Sequence, residues 1–276
     1  MNHDISSARQ TLYDSLQSRH FVIAGPCVLE GYELGLEVAL AVKEAARAAG
    51  LTVIFKSSFE KANRTSLDAF RGPGMEKGLE WLAGIGEESG LPLITDIHEP
   101  KQAAEVARHV EVLQIPAFLC RQTALLTAAG ESGAIVNIKK GQFLAPWDMG
   151  HVCAKLIATG NEKLLLTERG TSFGYNNLVV DMRSFPIMAA LGFPLVMDAT
   201  HSVQLPGGQG ACSGGDRRMA PCIAKAAAAA GAHGVFIECH PDPDKALCDG
   251  PNSLHLRDVP ALLQQLSAIW SLENAQ

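Results

Sequence analysis

The chain has 276 residues, a net charge of -6 at neutral pH and seven cysteines. Its length accommodates one barrel-type domain of about 250 residues or two smaller ones, and its acidic balance argues against nucleic acid as the main partner, since phosphate-backbone binding leaves a basic footprint. An odd number of cysteines without paired spacing fits reduced thiols rather than a disulfide framework.

From the N-terminus, MNHDISSARQ lacks the basic-then-apolar pattern of a secretory leader, and no uninterrupted apolar run reaches the roughly 18 residues of a membrane span. The expectation is a cytoplasmic protein without a membrane partner, with residues 1–20 a short N-terminal extension of one domain over 1–276. Eight apolar or β-branched runs then follow: FVIAGP, TVIFKSSF, LPLITDI, VEVLQIPA, AIVNIKK, KLLLTERG, PLVMDATH and GVFIECHP. Between and after them stand segments of helical period, such as LGLEVALAVKEAARAAG, EKGLEWLAGIGEESG, KQAAEVARHV, APWDMGHVCAKLIATG and RMAPCIAKAAAAAGAHG, several closing on a glycine cap. Continuous apolar strands alternating with helices imply a parallel sheet covered on its faces, and eight such units predict closure into a single (β/α)8 barrel of the α/β class. An open doubly wound sheet is the alternative, weakened because the first strand-to-helix turn lacks G-x-G-x-x-G.

A barrel concentrates its polar residues where strands end, because the active site sits at that face. The predicted ends carry Cys27, Lys56 with Ser57 and Ser58, Asp96 with His98, Gln114, Lys139 with Lys140, Glu168 with Arg169, Asp198 with His201, and Glu238 with His240. Cys27, His201, Glu238 and Asp249 come from the first, seventh and eighth strand ends, and the first and eighth are neighbours in a closed barrel. A thiolate, an imidazole and two carboxylates suit Zn²⁺ or Fe²⁺, with Mn²⁺ tolerated. No local metal motif is present, so the plainer reading stands beside it: Cys27 as a small apolar filler, His201 as an orienting partner, Asp249 as a turn residue in CDGP. A second constellation, Lys56, Lys61, Arg64, Lys139 and Arg169, reads either as solvated charge or as the counter-charge for a small molecule bearing phosphate and carboxylate. Lys56 and Lys139 favour the latter, since each ends an apolar run where an unpaired ammonium is costly.

The segments AGPCVLEG, FKSSFEKANRTS, TDIHEP, LQIPAFLCRQT, VNIKKGQF, TERGTSFGYNNLVVDM, DATHSVQ and IECHPDPDKALCDGPNSL resemble the 3-deoxy-D-manno-octulosonate 8-phosphate synthases over nearly the whole chain. The resemblance implies condensation of phosphoenolpyruvate with D-arabinose 5-phosphate and water, releasing inorganic phosphate, in lipopolysaccharide biosynthesis. Cysteine at position 27 resembles the family's metal-requiring branch, and the other ligands then fall on His201, Glu238 and Asp249. The ion implied is Zn²⁺ or Fe²⁺, with Mn²⁺ or Co²⁺ as alternatives.

Resemblance also assigns phosphoenolpyruvate to Lys56, Lys139 and Arg169, with Ser58 and the stretch from Gln114 to Ala117 beside them. Asn63, Arg64 and Ser66 take the sugar phosphate, and Asp96 orients the sugar. Arg121, in the RQT segment, reaches a neighbouring subunit's site, which implies a homotetramer. Lys61 is the candidate proton donor to the aldehyde oxygen, His201 is next, and Asp249 completes the catalytic candidates. Two departures stand out: Gly141 replaces a frequent proline, and CDGPNSL resembles the metal-independent branch. The nearest rival, 3-deoxy-D-arabino-heptulosonate 7-phosphate synthase, typically reads closer to Lys-Pro-Arg-Thr-Ser where this chain has KANRTS. A non-catalytic phosphosugar-binding barrel is a further reading, opposed by the retention of every matched ligand and cation position.

Overall fold

Each of the eight apolar runs forms a strand: β1 (Phe21–Gly25), β2 (Thr52–Lys56), β3 (Leu93–Asp96), β4 (Val112–Ile115), β5 (Ile135–Lys139), β6 (Leu164–Glu168), β7 (Leu195–Asp198) and β8 (Gly234–His240). The computed structural model describes residues 2–64, 66, 68–205 and 214–273. Neighbouring strands pair in parallel, and β1 closes on β8 in a register that runs from Phe21 opposite Gly234 to Gly25 opposite Glu238. The sheet is therefore the (β/α)8 barrel expected from the alternation.

The helices are α1 (Asn2–Ser18), α2 (Tyr32–Ala49), α3 (Met75–Ser89), α4 (Ala103–Val106), α5 (Thr123–Glu131), α6 (Met149–Ile157), α7 (Ser184–Ala189), α8 (Ala220–Ala229) and α9 (Val259–Glu273). Seven of them, α2 to α8, lie one by one between successive strands. The segment KQAAEVARHV, read from sequence as a whole helix, is shorter. Pro100 opens a tight 3-10 turn whose Glu99 and Gln102 cap each other, and only Ala103–Val106 continue as α-helix. Beyond it the carbonyls of Ala107 and Val110 accept from the Arg9 guanidinium, the latter at 3.0 Å, so the backbone there bonds to α1 rather than to another helical turn.

Side chains alternate across a strand, so every second residue faces the barrel axis. In the lower half those residues are apolar and form one cluster, with Ile23, Ile54, Ile94, Ile135, Leu165 and Phe236 among them. Val22, Val53 and Leu113, at the alternate positions, pack outward into the larger core under the helices. The segment read as an N-terminal extension contains α1, which seals the lower mouth: Tyr13 and Leu16 join the axial cluster. The Tyr13 hydroxyl donates to the Glu162 carbonyl at 3.1 Å and accepts from the Leu164 N–H at 3.3 Å. At the other end β1 must finish on glycine, since a Cβ at Gly25 would lie 1.9 Å from the Lys56 carbonyl oxygen. That close approach sets Cys27 directly beside β2. Among the described residues no helix is long and apolar enough to cross a membrane.

Leu16 is fully buried in the axial cluster. Leu16→Ala is therefore expected to cost about 2–5 kcal/mol of unfolding free energy, measured from urea midpoints at constant m value; a loss near zero would mean that α1 does not complete the core.

Candidate active site and metal centre

The inward alternation that builds the lower core continues upward and changes character within one pleat repeat. Ile54 is followed two residues later by Lys56, Ile94 by Asp96, Val112 by Gln114, Ile135 by Asn137 and then Lys139, Val196 by Asp198, and Phe236 by Glu238. Above this belt opens a cavity of about 850 Å³. Of the residues singled out from sequence, Lys56, Lys61, Asn63, Arg64, Asp96, Gln114, Ala117, Lys139, Arg169, His201 and Asp249 line it. Cys27, Ser58 and Glu238 are buried immediately beneath. Ser66 and Arg121 are not part of the wall: Ser66 caps its own loop through the Asp68 N–H, and Arg121 is exposed, its carbonyl accepting from Lys155. Lys140 and Glu168, counted among the strand-end polar residues, fall on the opposite parity and pair with each other at 3.4 Å away from the cavity.

The cations are held by specific partners. Lys56 Nζ donates to the Cys27 carbonyl at 3.0 Å, Ser58 Oγ at 3.1 Å and Glu238 Oε1 at 3.2 Å. Lys139 Nζ lies 2.6 Å from Asp198 Oδ2 and 3.7 Å from the centre of the Phe236 ring. Burial holds the Lys139 pKa below the ordinary lysine range, with Lys56 adding to the effect and Asp198 opposing it. Arg169 donates through Nη2 to Gln204 at 2.9 Å, while its buried Nη1 has no hydrogen-bond partner among the described residues. A desolvated guanidinium N–H without an acceptor is unfavourable, and an anion in the cavity satisfies it. Gln204, together with Gln142 and Arg217 on the wall, was not singled out from sequence. The only signal for Gln204 was its place in the DATHSVQ segment.

Around Asp96 the Ser58 hydroxyl donates to Oδ1, and His98 Nε2 lies 3.0 Å from Oδ2. Burial opposes the Lys61 ammonium, but Cys27, Asp96, Glu238 and Cys248 together outweigh it and raise its pKa well above the usual range. The floor of the site is thus a lattice of alternating charge.

His201 is aimed by Asp198: its backbone N–H donates to Oδ1 at 2.9 Å and its Nδ1 lies 2.8 Å from Oδ2. Nε2 then faces Glu238 Oε1 at 3.6 Å and Asp249 Oδ2 at 3.7 Å. A carboxylate fixing one imidazole nitrogen so that the other faces inward is how ligating histidines are oriented. Burial acts against the imidazolium, yet Asp198 and Glu238 together outweigh it and raise the His201 pKa. Burial likewise acts against the Glu238 and Asp249 carboxylates, and His201 holds both below the ordinary range, helped by Lys56 and Lys61 at Glu238 and by Lys61 and Arg64 at Asp249. Asp249 adopts a left-handed backbone, φ 50°, which is strained for a residue with a side chain and turns its carboxylate back over the barrel mouth.

The donors fall into two groups that share Asp249: His201, Glu238 and Asp249, and Cys27, Cys248 and Asp249, with the ligand atoms of each within 4.8 Å of one another. Glu238 Oε2 is buried without a hydrogen-bond partner among the described residues. Sulfur, nitrogen and oxygen donors converging around an unsatisfied carboxylate oxygen fit a divalent transition metal. Cys248 had no assigned role from sequence.

The profile of the DAHP synthetase I family matches residues 8–272. Curated relatives named 2-dehydro-3-deoxyphosphooctonate aldolase include one from Nitratidesulfovibrio vulgaris strain DP4, 65% identical over 95% of this chain and 96% of its own length. Others come from Desulfatibacillum aliphaticivorans, 60% identical over 90% and 91%, and Citrifermentans bemidjiense, 55% identical over 92% and 93%.

The hold of Asp198 on His201 makes a prediction separate from turnover. Asp198→Asn should weaken binding of a divalent transition metal roughly 10–100-fold, measured by equilibrium dialysis; unchanged affinity in a folded variant would show that His201 needs no such orientation.

Proposed function

The chain belongs to the DAHP synthetase I family, and we propose that it condenses phosphoenolpyruvate with D-arabinose 5-phosphate and water to give 3-deoxy-D-manno-octulosonate 8-phosphate and inorganic phosphate. Relatives at 55% to 65% identity carry the name of that enzyme. The observation that carries the reading to the site is the buried Arg169 Nη1, without a hydrogen-bond partner among the described residues, on a wall shared with Lys56 and Lys139. One small molecule with a phosphate and a carboxylate answers all three cations.

In the reaction C3 of the enol bonds to the aldehyde carbon, water adds at C2, and phosphate leaves with cleavage of the C–O bond. Lys56, Lys139 and Arg169 neutralise phosphoenolpyruvate and stabilise charge developing on oxygen in a site withdrawn from bulk water. Asn63 and Arg64, on the loop after β2, take the sugar phosphate, and Asp96 orients the sugar hydroxyls. Holding the reactants in one cavity replaces much of the entropy of a multi-body encounter. Lys61, protonated and on the same wall, supplies the proton to the aldehyde oxygen. Cys27, His201, Glu238 and Asp249 hold the divalent ion, for which Zn²⁺ or Fe²⁺ suits the mixed donors and Mn²⁺ or Co²⁺ is tolerated. When bound, such an ion supplies Lewis-acid polarisation of an oxygen. Arg121, exposed on the loop after β4 and outside its own cavity, serves the sugar-phosphate end of a neighbouring subunit's site in a homotetramer. The product belongs to lipopolysaccharide synthesis in the cytoplasm.

Purified protein should release phosphate from phosphoenolpyruvate rapidly with arabinose 5-phosphate and poorly with erythrose 4-phosphate; the reverse preference would overturn the assignment. Arg169→Ala should weaken phosphoenolpyruvate use by about 1.5–3 kcal/mol in kcat/KM, the range of a hydrogen bond to a charged group. Arg121→Ala should instead raise KM for the sugar phosphate, and unchanged sugar-phosphate kinetics would refute the shared site.

A further inference from the structure

Cys27 and Cys248, 221 residues apart in sequence, bring their sulfurs to 2.8 Å. Both are buried, and with Val28 they form a small separate core against Phe70. All six described cysteines, these two included, are free thiols, and among them Cys222 alone is exposed. Two features distinguish this pair from apolar fillers. Cys248 lines the cavity, so a small solute entering with the substrates reaches it. Arg64 Nη1 also lies 2.8 Å from Cys248 Sγ and presents positive charge to that sulfur. A cation there favours nucleophilic attack by sulfur and offsets the charge built up during it.

We infer that Cys27 and Cys248 are an oxidisable pair, which hydrogen peroxide converts to a disulfide that withdraws Cys27 from the metal centre. Cys248 attacks peroxide, forming an S–O bond as the O–O bond breaks, and gives the sulfenic acid and water after proton transfer. The Cys27 sulfur then attacks Cys248, the S–O bond breaks, and the hydroxyl leaves as a second water with the Cys27 proton. Two thiols lose two electrons, and one peroxide becomes two waters. Close contact favours disulfide formation over further oxidation of the first sulfur, because the resolving thiol is already in place. A thiol reductant reverses the step by exchange.

The cross-link stands on the sulfur geometry alone, whereas its competition with metal rests on Cys27 as a donor in the proposed site. A bound ion occupies the Cys27 sulfur and holds it from reaction. Oxidation removes that donor and leaves His201, Glu238 and Asp249.

The test uses the unaltered full chain freed of metal with a chelator, exposed to hydrogen peroxide, alkylated and mapped by mass spectrometry. The expected product is a peptide pair joining Cys27 to Cys248, lighter by two hydrogens and released by dithiothreitol. In parallel, zinc at about ten times its dissociation constant should reduce the rate of cross-linking about tenfold. Freely alkylated Cys27 and Cys248 under conditions that oxidise exposed Cys222, or sulfinic acid on Cys27 without a cross-link, would overturn the pair. A cross-link forming equally fast with saturating zinc would overturn its competition with metal, independently of any assay of the condensation.

Discussion

Buried charge at the upper mouth of the barrel is the constraint to which the rest of the structure answers. Lys56, Lys139 and Arg169 stand among Asp198 and Glu238 in positions almost wholly removed from water. An isolated charge in such a place is costly, so each must be paired, hydrogen-bonded or held for a ligand. Lys56 against Glu238 and Lys139 against Asp198 meet the first requirement. Arg169 Nη1 and Glu238 Oε2, two of the buried polar atoms without a hydrogen-bond partner among the described residues, are positions where the protein alone does not close the account. One is a donor suited to an anion and the other an acceptor suited to a cation, which is the division of labour of a substrate site beside a metal site.

That arrangement depends on a rigid frame. Closure of β1 on β8 brings the Cys27 end of the chain beside Glu238, although 211 positions separate them in the numbering. The lower half of the axis is packed with branched and aromatic side chains, and α1 covers it from below. Close packing restricts rotamer and backbone movement, so the charged belt rests on a floor that transmits little slack. The same parity that directs Lys56 and Asp96 inward sends Lys140 and Glu168 outward, where they pair at the outer layer. A strand register shifted by one residue would exchange these roles throughout.

Asp249 links the two chemical halves of the mouth. Its carboxylate belongs to both donor groups, and Arg64 on the opposite loop reaches it at 3.9 Å while also touching Cys248. The proposed sugar-phosphate residue and the proposed metal donors are therefore mechanically adjacent. The KANR loop and the CDGP turn, remote in sequence, meet at the sulfur of Cys248. This adjacency would connect the oxidation proposed for one thiol to both proposed binding functions.

The sequence by itself determined the barrel and the face on which its chemistry sits. Periodic apolar runs separated by helices admit few other parallel folds, and polar residues at successive strand ends mark the face on which such a barrel carries its active site. Strand-end placement also made convergence of Cys27, His201, Glu238 and Asp249 possible, because closure makes the first and last strands neighbours. Tertiary structure decided the rest. Only it shows that α1 plugs the lower mouth, that KQAAEVARHV holds a single α-helical turn, and that Ser66 and Arg121 lie off their own cavity. Cys248 beside Cys27 and Gln204 beside Arg169 were likewise hidden. The physical reason is common to these cases. Periodicity reports the direction in which a side chain leaves its own strand or helix, whereas loops after the strands carry no period, and contacts between them depend on how distant segments fold over the same mouth.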